Sequence, residues 1–270
     1  MPSTKQSIKI VTLNIGRGFP GLEKSIGFLG TCGADVLCIQ DIRQDHVDRL
    51  PDIFGPSRHF VAMTNHLIEG RRVPVGIGIF SKHPFVSTSA HAFWGSVSPV
   101  KDLEGVTIGA GGNANAHDLD VVRSTESRLV IFADVKVGDS TFRIGTLHGV
   151  WVPGGKVDDH QRRCMDNLRL IMDNQFGIPL VLAGDFNAAR GGEIYQMLVR
   201  KDHAYYDLFD DVVPDTIVNT VDWQNRGKPG GPDLVVDYIL KNDGLTVRDV
   251  EVHFGVSDHA ALTATVSSVV

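Results

Sequence analysis

Asp185 and Asn187 follow the apolar run Leu180-Val181-Leu182-Ala183, with Gly184 and Phe186 between. A carboxylate and a carboxamide two residues apart, directly after a buried-type strand, are the first candidates for chemistry in this chain. If extended geometry continues past Gly184, both polar side chains point to one side and Phe186 to the other. Such groups are costly at the end of a buried strand unless they are paired, bind a metal or face a cleft. Taken alone, the same residues also describe an Asx-type turn leaving a strand. The rest of the chain supplies matching groups. Asn14, Gln40-Asp41, His148, Asp237 and Asp258-His259 each sit at or just after an apolar or β-branched run. Ligand sites in α/β sheets collect at strand ends, so groups scattered in sequence can meet in one cleft.

The set holds two histidines, carboxylates and amides. The chain has no Ser or Cys nucleophile in a convincing motif, no phosphate-binding loop ending in Lys-Ser or Lys-Thr, and no glycine fingerprint between a strand and a helix. The Gly-Ala-Gly-Gly-Asn-Ala stretch at 109–114 lacks the preceding strand that a dinucleotide site needs. Carboxylates with His and Asn, and no protein nucleophile, suit metal-assisted hydrolysis. A hard cation such as Mg²⁺ takes one or two carboxylates and keeps waters and phosphate oxygens as its other ligands. It offsets charge developing on phosphorus while a carboxylate or His activates water.

The elements that position these groups read as strands interleaved with a few helices. Ile8–Leu13, Ala34–Ile39, His59–Thr64, Val75–Phe80, Leu129–Val137, Thr141–Leu147, Leu180–Ala183, Leu234–Leu240, Val247–Phe254 and Leu262–Val266 are expected strands, with Gly138-Asp139 closing a hairpin. Leu22–Leu29, a short stretch around Val47 and Leu50, Asp158–Phe176 and Gly192–Val199 are expected helices; Met165, Leu168 and Met172 share a face in the third. Residues 94–127 are Gly/Asn/Ala-rich in part and without periodicity, which reads as a long surface insertion or lid. With 270 residues, 42% hydrophobic, and no linker, one domain spanning 1–270 is expected.

Net charge is -6, which argues against coating DNA by bulk electrostatics. The three cysteines, Cys32, Cys38 and Cys164, form no disulfide or metal framework, and Cys38 reads as a buried thiol. There is no apolar run of about 18 residues and no signal-peptide pattern at the N-terminus, so the expectation is a cytoplasmic protein with no membrane insertion and no obligate protein partner.

The segments TLNIGRG, CIQD, TLHGVW, GDFN, VDYI and GVSDHAAL resemble, in order and from residue 12 to 262, the motifs of the endonuclease/exonuclease/phosphatase superfamily of DNase I-like, metal-dependent phosphodiesterases. The resemblance implies a four-layer α/β sandwich, with two central mixed β-sheets face to face and helices outside. It implies Mg²⁺, with Mn²⁺ as a substitute. It gives Asn14 the support of the metal and of the catalytic Asp, and puts Asp41 where the family has a metal-binding Glu. His148 matches a phosphate-contacting His, Asp185 the group that orients or activates water, and Asn187 a contact to the scissile phosphate. Asp237 matches the partner of the terminal His, Asp258 an Asp near the metal, and His259 the terminal catalytic His. Asp is one methylene shorter than Glu, about 1.5 Å, so the cation at Asp41 shifts, binds through water or binds weakly. Asp41 also reads as a helix N-cap.

Arg190, close after GDFN, is either a phosphate-binding group or a solvated loop residue. Arg17, Arg71 and Arg72 are rim candidates, and Trp151 either lines the cleft or packs in the core. Several branches are disfavoured by what is missing: an inositol-phosphatase segment before Asp237, a membrane-inserting aromatic hairpin, and an acidic residue two after Asn14, where Gly16 stands. A phosphoester of nucleic acid or nucleotide type is the first expectation for the substrate. A small phosphoester or lipid headgroup is the alternative, and a non-catalytic binding module with a degraded metal site is the contrasting reading.

Overall fold

The computed structural model describes residues 6–16, 21–49, 55–68, 70–103, 116–152, 156–175, 179–199, 209–222, 231 and 233–269. The N-terminal half supplies β1 (Ser7–Asn14), α1 (Leu22–Thr31), β2 (Val36–Arg43), α2 (Gln44–Arg49), β3 (Ser57–Ile68), β4 (Arg71–Ser81), β5 (Phe85–Trp94), β6 (Asp102–Leu103) and α3 (Ala116–Thr125). Then come β7 (Arg128–Val137), β8 (Ser140–His148), α4 (Asp159–Asp173), β9 (Leu180–Asp185), α5 (Glu193–Val199), β10 (Asp210–Asp211), β11 (Asp237–Lys241), β12 (Leu245–His253) and β13 (Ala261–Ser268).

The strands form two mixed sheets. One has seven strands in the order β12-β13-β1-β2-β4-β3-β6, and the other six in the order β10-β11-β9-β8-β7-β5. Their inner faces pack on each other through alternate residues: Ile8 and Ile10 of β1, Val36 and Cys38 of β2, Phe142 and Ile144 of β8, Val181 and Ala183 of β9. The intervening residues face outward under helices. Val11, Leu13, Leu37 and Ile39 lie with Leu29 of α1 and Val47 of α2, and Leu147, Leu180 and Leu182 lie with Met165, Leu168 and Met172 of α4 and with α5. The result is the four-layer α/β sandwich, with two mixed sheets between helical layers. Burial on both faces explains why these strands read as continuous apolar runs rather than as alternating ones.

Three expectations need adjustment. The insertion at 94–127 is not structureless: Trp94 ends β5, β6 pairs parallel with Asn65 and His66 of β3, and α3 precedes β7, while 104–115 lie outside the described residues. Residues 234–236 do not continue β11. Their backbone groups bond to loops instead, with Phe186 N–H donating to Val236 O and Val236 N–H to the Thr220 hydroxyl. Asp41 is no helix cap, because β2 runs past it to Arg43 before α2 begins. Asp158 caps α4, accepting from Gln161 N–H at 2.8 Å, and Arg17 and Leu50 lie outside the described residues. Burial pushes the Cys38 thiol up to about 12, as befits an inert core group.

Candidate active site

The inward stripe of each central strand changes character at one end. In β1 it runs Ile8, Ile10, Thr12, Asn14; in β8 it runs Phe142, Ile144, Thr146, His148; in β9 it runs Val181, Ala183, Asp185. β1 and β2 are parallel neighbours, with Asn14 opposite Gln40, and β8 and β9 are parallel neighbours, with His148 opposite Asp185. Parallel neighbours end on the same edge, so both sheets deliver their terminal polar side chains to one place. Antiparallel β11 starts there, with Asp237 opposite Asp185. The site is the polar end of the layer between the sheets.

Asp185 is its centre, 1% exposed. Its Oδ2 accepts from Asn14 Nδ2 across the sheets at 2.9 Å, and His148 Nε2 and His259 Nε2 approach the same oxygen at 3.6 and 3.7 Å. Its Oδ1 accepts the Asn187 backbone N–H at 2.8 Å. Asn14 is itself fixed, its Oδ1 accepting from Gly16 N–H at 2.9 Å. Gly16 has φ 55, and a Cβ there would sit 2.8 Å from Asp258 Oδ1, so the glycine of TLNIG leaves room for the Asp258 carboxylate.

His259 donates Nδ1–H to Asp237 Oδ2 at 2.9 Å, with both residues 2% exposed. Burial works against a charged ring and is the strongest single influence on it. Asp237, then Asp185, then the hydrogen bond and Asp258 together overcome it and raise the His259 pKa to about 9. The ring is therefore cationic near neutral pH, with Nδ1 engaged and Nε2 turned towards Asp185. Asp237 is held in turn by Thr220, fully buried, whose hydroxyl accepts the N–H groups of Val236 and Asp237 at 3.1 and 3.3 Å. The Thr220 carbonyl accepts Ala260 N–H at 2.8 Å, next to His259. Sequence reading missed Thr220, because a Thr in a loop between Asn219 and Val221 carries no spacing signal.

The GDFN loop is braced by Gly149, also missed, although it stands inside the TLHGVW motif. Its N–H donates to Asp185 O at 2.7 Å and its carbonyl accepts from Asn187 Nδ2 at 3.1 Å. A Cβ at Gly149 would lie 1.9 Å from Phe186 O, so only glycine permits this approach. Asp41 and Asn187 both adopt positive φ, 53 and 51. Asp and Asn carry that conformation with least strain among residues with a side chain. At Asp41 the register of β2 shifts between Ile39 and Ile42, a bulge that re-aims the carboxylate so that Oδ1 lies 3.5 Å from His148 Nδ1.

The sequence-predicted residues thus divide. Asn14, His148, Asp185, Asp237 and His259 converge directly, with Asp41 beside His148, Asp258 beside His259 and Asn187 on the bracing loop. Arg190 does not join them. Its guanidinium donates to the carbonyls of Val213, Pro214 and Ile217 at 3.1 to 3.2 Å and pairs with Asp211 at 3.1 Å. It clamps the 211–217 segment. Arg72 pairs with Asp102 at 2.7 Å, and Trp151 is half-buried after β8.

Among the described residues, the group whose ligand atoms all lie within 4.8 Å is Asp185, Asp237 and His259, a buried set that could bind a metal. Asp41, Asn14 and Asp258, expected as ligands, flank that set rather than form it. Asn14 bonds Asp185 through Nδ2 and Gly16 N–H through Oδ1.

The fold and this edge define a DNase I-like α/β sandwich. The model of the Endonuclease/Exonuclease/phosphatase family matches residues 11–259, and the chain belongs to that family. Solved structures agree on the fold. An endonuclease/exonuclease/phosphatase from Beutenbergia cavernae superposes with TM-score 0.68 at 15% identity, covering 98% of this chain and 72% of that one. The human Nocturnin catalytic domain with bound sulfate anion gives TM-score 0.63 at 17% identity, covering 97% of this chain and 94% of that one. Sphingomyelinase C from Streptomyces griseocarneus gives 0.61 at 16%, covering 98% and 100%. No curated protein sequence matches. No helix among the described residues is long and apolar enough to cross a membrane.

Proposed function

We propose that the protein is a divalent-metal-dependent phosphodiesterase acting on a nucleic-acid or nucleotide-type phosphoester, and that water attacks phosphorus at Asp185. The observation that carries this reading is the convergence of Asn14, His148 and His259 on one buried carboxylate oxygen. Asp185, oriented by Asn14 and by the Asn187 N–H, takes the proton from water as the new P–O bond forms. His259, held cationic by Asp237, donates from Nε2 to a phosphoryl oxygen, and His148 contacts another. The ester P–O bond breaks, its electron pair leaves with the alcohol oxygen, which takes a proton from solvent, and Asp185 returns its proton to solvent. Asn187 contacts the phosphate from the braced loop.

The donor chemistry fits a hard cation. Asp41, Asp185, Asp237 and Asp258 are four carboxylates facing two histidines, an excess of negative charge even with both rings protonated. Asp41 and Asp258 would hold Mg²⁺ or Mn²⁺ at this edge, and the cation would supply charge neutralisation on phosphorus. The test is a panel of bis-p-nitrophenyl phosphate, oligonucleotides, plasmid, nucleotides, phosphomonoesters and a sphingolipid phosphodiester, each with Mg²⁺ or Mn²⁺ and with chelator. Metal-dependent hydrolysis of the diesters and nucleic-acid substrates supports the proposal. Turnover restricted to phosphomonoesters or lipid would replace its substrate class, and no turnover of any would refute it.

A further inference from the structure

One layer below the site lies a run of polar side chains that the hydrolytic steps do not use. Gln40 is fully buried between the sheets. Its Nε2 lies 2.8 Å from Thr146 Oγ1 and 3.1 Å from both Thr12 Oγ1 and Cys38 O. The Thr146 hydroxyl donates in turn to the Ala183 carbonyl at 2.8 Å. The run therefore crosses from β1 and β2 in one sheet to β8 and β9 in the other. Strand periodicity places Thr12, Thr146 and Ala183 directly beneath the reacting groups, two residues before Asn14, His148 and Asp185, and Gln40, opposite Asn14 in the register, bonds into this layer through its amide. The next layer down, Ile10 and Ile144, is apolar again. Packing alone would favour an apolar residue at position 40, since buried polar groups are costly unless bonded.

Apolar contact between two sheets is non-directional, so it tolerates small sliding. Hydrogen bonds weaken steeply with distance and angle. The Asn14–Asp185 bond, 2.9 Å long, is itself a link between the sheets and holds only if their ends keep their spacing. We propose that Gln40 and Thr146 are positioning residues, forming a strut that fixes the two sheet ends so that Asn14 stays bonded to Asp185. The kinetic consequence rests on the hydrolytic reading above; the structural consequence does not.

The experiment uses Thr146→Val, Thr146→Ser and Gln40→Met in the full chain. Hydrolysis of bis-p-nitrophenyl phosphate is measured beside solvent exchange of the Asn14 side-chain amide by NMR. Thr146→Val and Gln40→Met are expected to lower kcat on the order of 10- to 100-fold with little change in KM, as for a misplaced reacting group, and to speed Asn14 amide exchange. Thr146→Ser keeps the hydroxyl and is expected to restore both. In an Asn14→Ala background, Thr146→Val is expected to add little, because the bond it protects is gone. Should Thr146→Val fail to fold, Gln40→Met carries the test. A kcat that falls with Asn14 exchange unchanged, or additive effects with Asn14→Ala, would overturn the strut. A wild type without hydrolysis would refute the hydrolytic reading, and Asn14 exchange in the variants would still decide the strut.

Discussion

Replacing Asp237 by Asn tests the electrostatics of the site with almost no change of shape. Asn Oδ1 can still accept the His259 Nδ1–H, so the 2.9 Å contact has a neutral substitute and the loops keep their anchor. What is lost is the anion that does most to hold His259 charged against burial. The rise of the ring from 6.5 to about 9 corresponds to roughly 3 kcal/mol in favour of the cation. Because the folded-state value lies above the unfolded one, this stabilisation is fully present below about pH 6.5 and fades as pH rises through about 9. In Asp237→Asn the His259 pKa is expected to fall below 9, towards or beneath its ordinary value, since burial then meets only Asp185 and Asp258. The assay is an NMR titration of the imidazole from about pH 6 to pH 10 in chelator, beside thermal unfolding over the same range. The wild type should exceed the variant in stability most at the acid end, and the gap should close through about pH 9. A His259 that still titrates near 9 in the variant would refute the reasoning.

Three further outcomes follow from the same geometry. Gly149→Ala forces a Cβ to 1.9 Å from Phe186 O and disturbs two brace hydrogen bonds, so a loss of about 2–4 kcal/mol in denaturant unfolding is expected, with a fall in kcat; wild-type stability in the variant would contradict the brace. Arg190→Ala should cost about 2–4 kcal/mol by releasing the 211–217 carbonyls and Asp211, while KM and inhibition by inorganic phosphate stay unchanged; a raised KM would return Arg190 to the substrate site. Asp41→Ala should weaken Mg²⁺ binding roughly tenfold or more by calorimetry, and unchanged affinity would remove Asp41 from the cation site.

The strands were legible because doubly buried strands are continuous apolar runs, and the site was legible because its groups stand where those runs turn polar. Asn14, His148 and Asp185 follow that rule, whereas Asp237 begins β11 and His259 just precedes β13, so they enter the same edge from antiparallel strands. What spacing cannot carry is where a side chain's hydrogen bonds go. Arg190 sits five residues beyond Asp185 in sequence, yet its two terminal nitrogens bond to the backbone of another loop and to Asp211. Gln40 adjoins Asp41, yet a bulge after it sends the two in different roles, one into the inter-sheet layer and one to His148. Thr220 and Gly149 act through backbone groups, and a backbone contact leaves no mark on residue type except where only glycine fits. The 94–127 stretch hid β6 and α3 because short elements held by tertiary contacts need little periodicity of their own.

Asp185 is the group on which every other assignment depends. Single-turnover hydrolysis of bis-p-nitrophenyl phosphate with Mg²⁺, compared between wild type and Asp185→Asn, tests it most directly. Asn keeps the size, and its one oxygen can still accept from Asn14 at the cost of the Asn187 N–H bond, but it cannot take a proton from water, so a rate lower by on the order of 10³ or more is expected, with circular dichroism and thermal unfolding showing the fold retained. Equal rates in the two proteins would contradict the account at its centre.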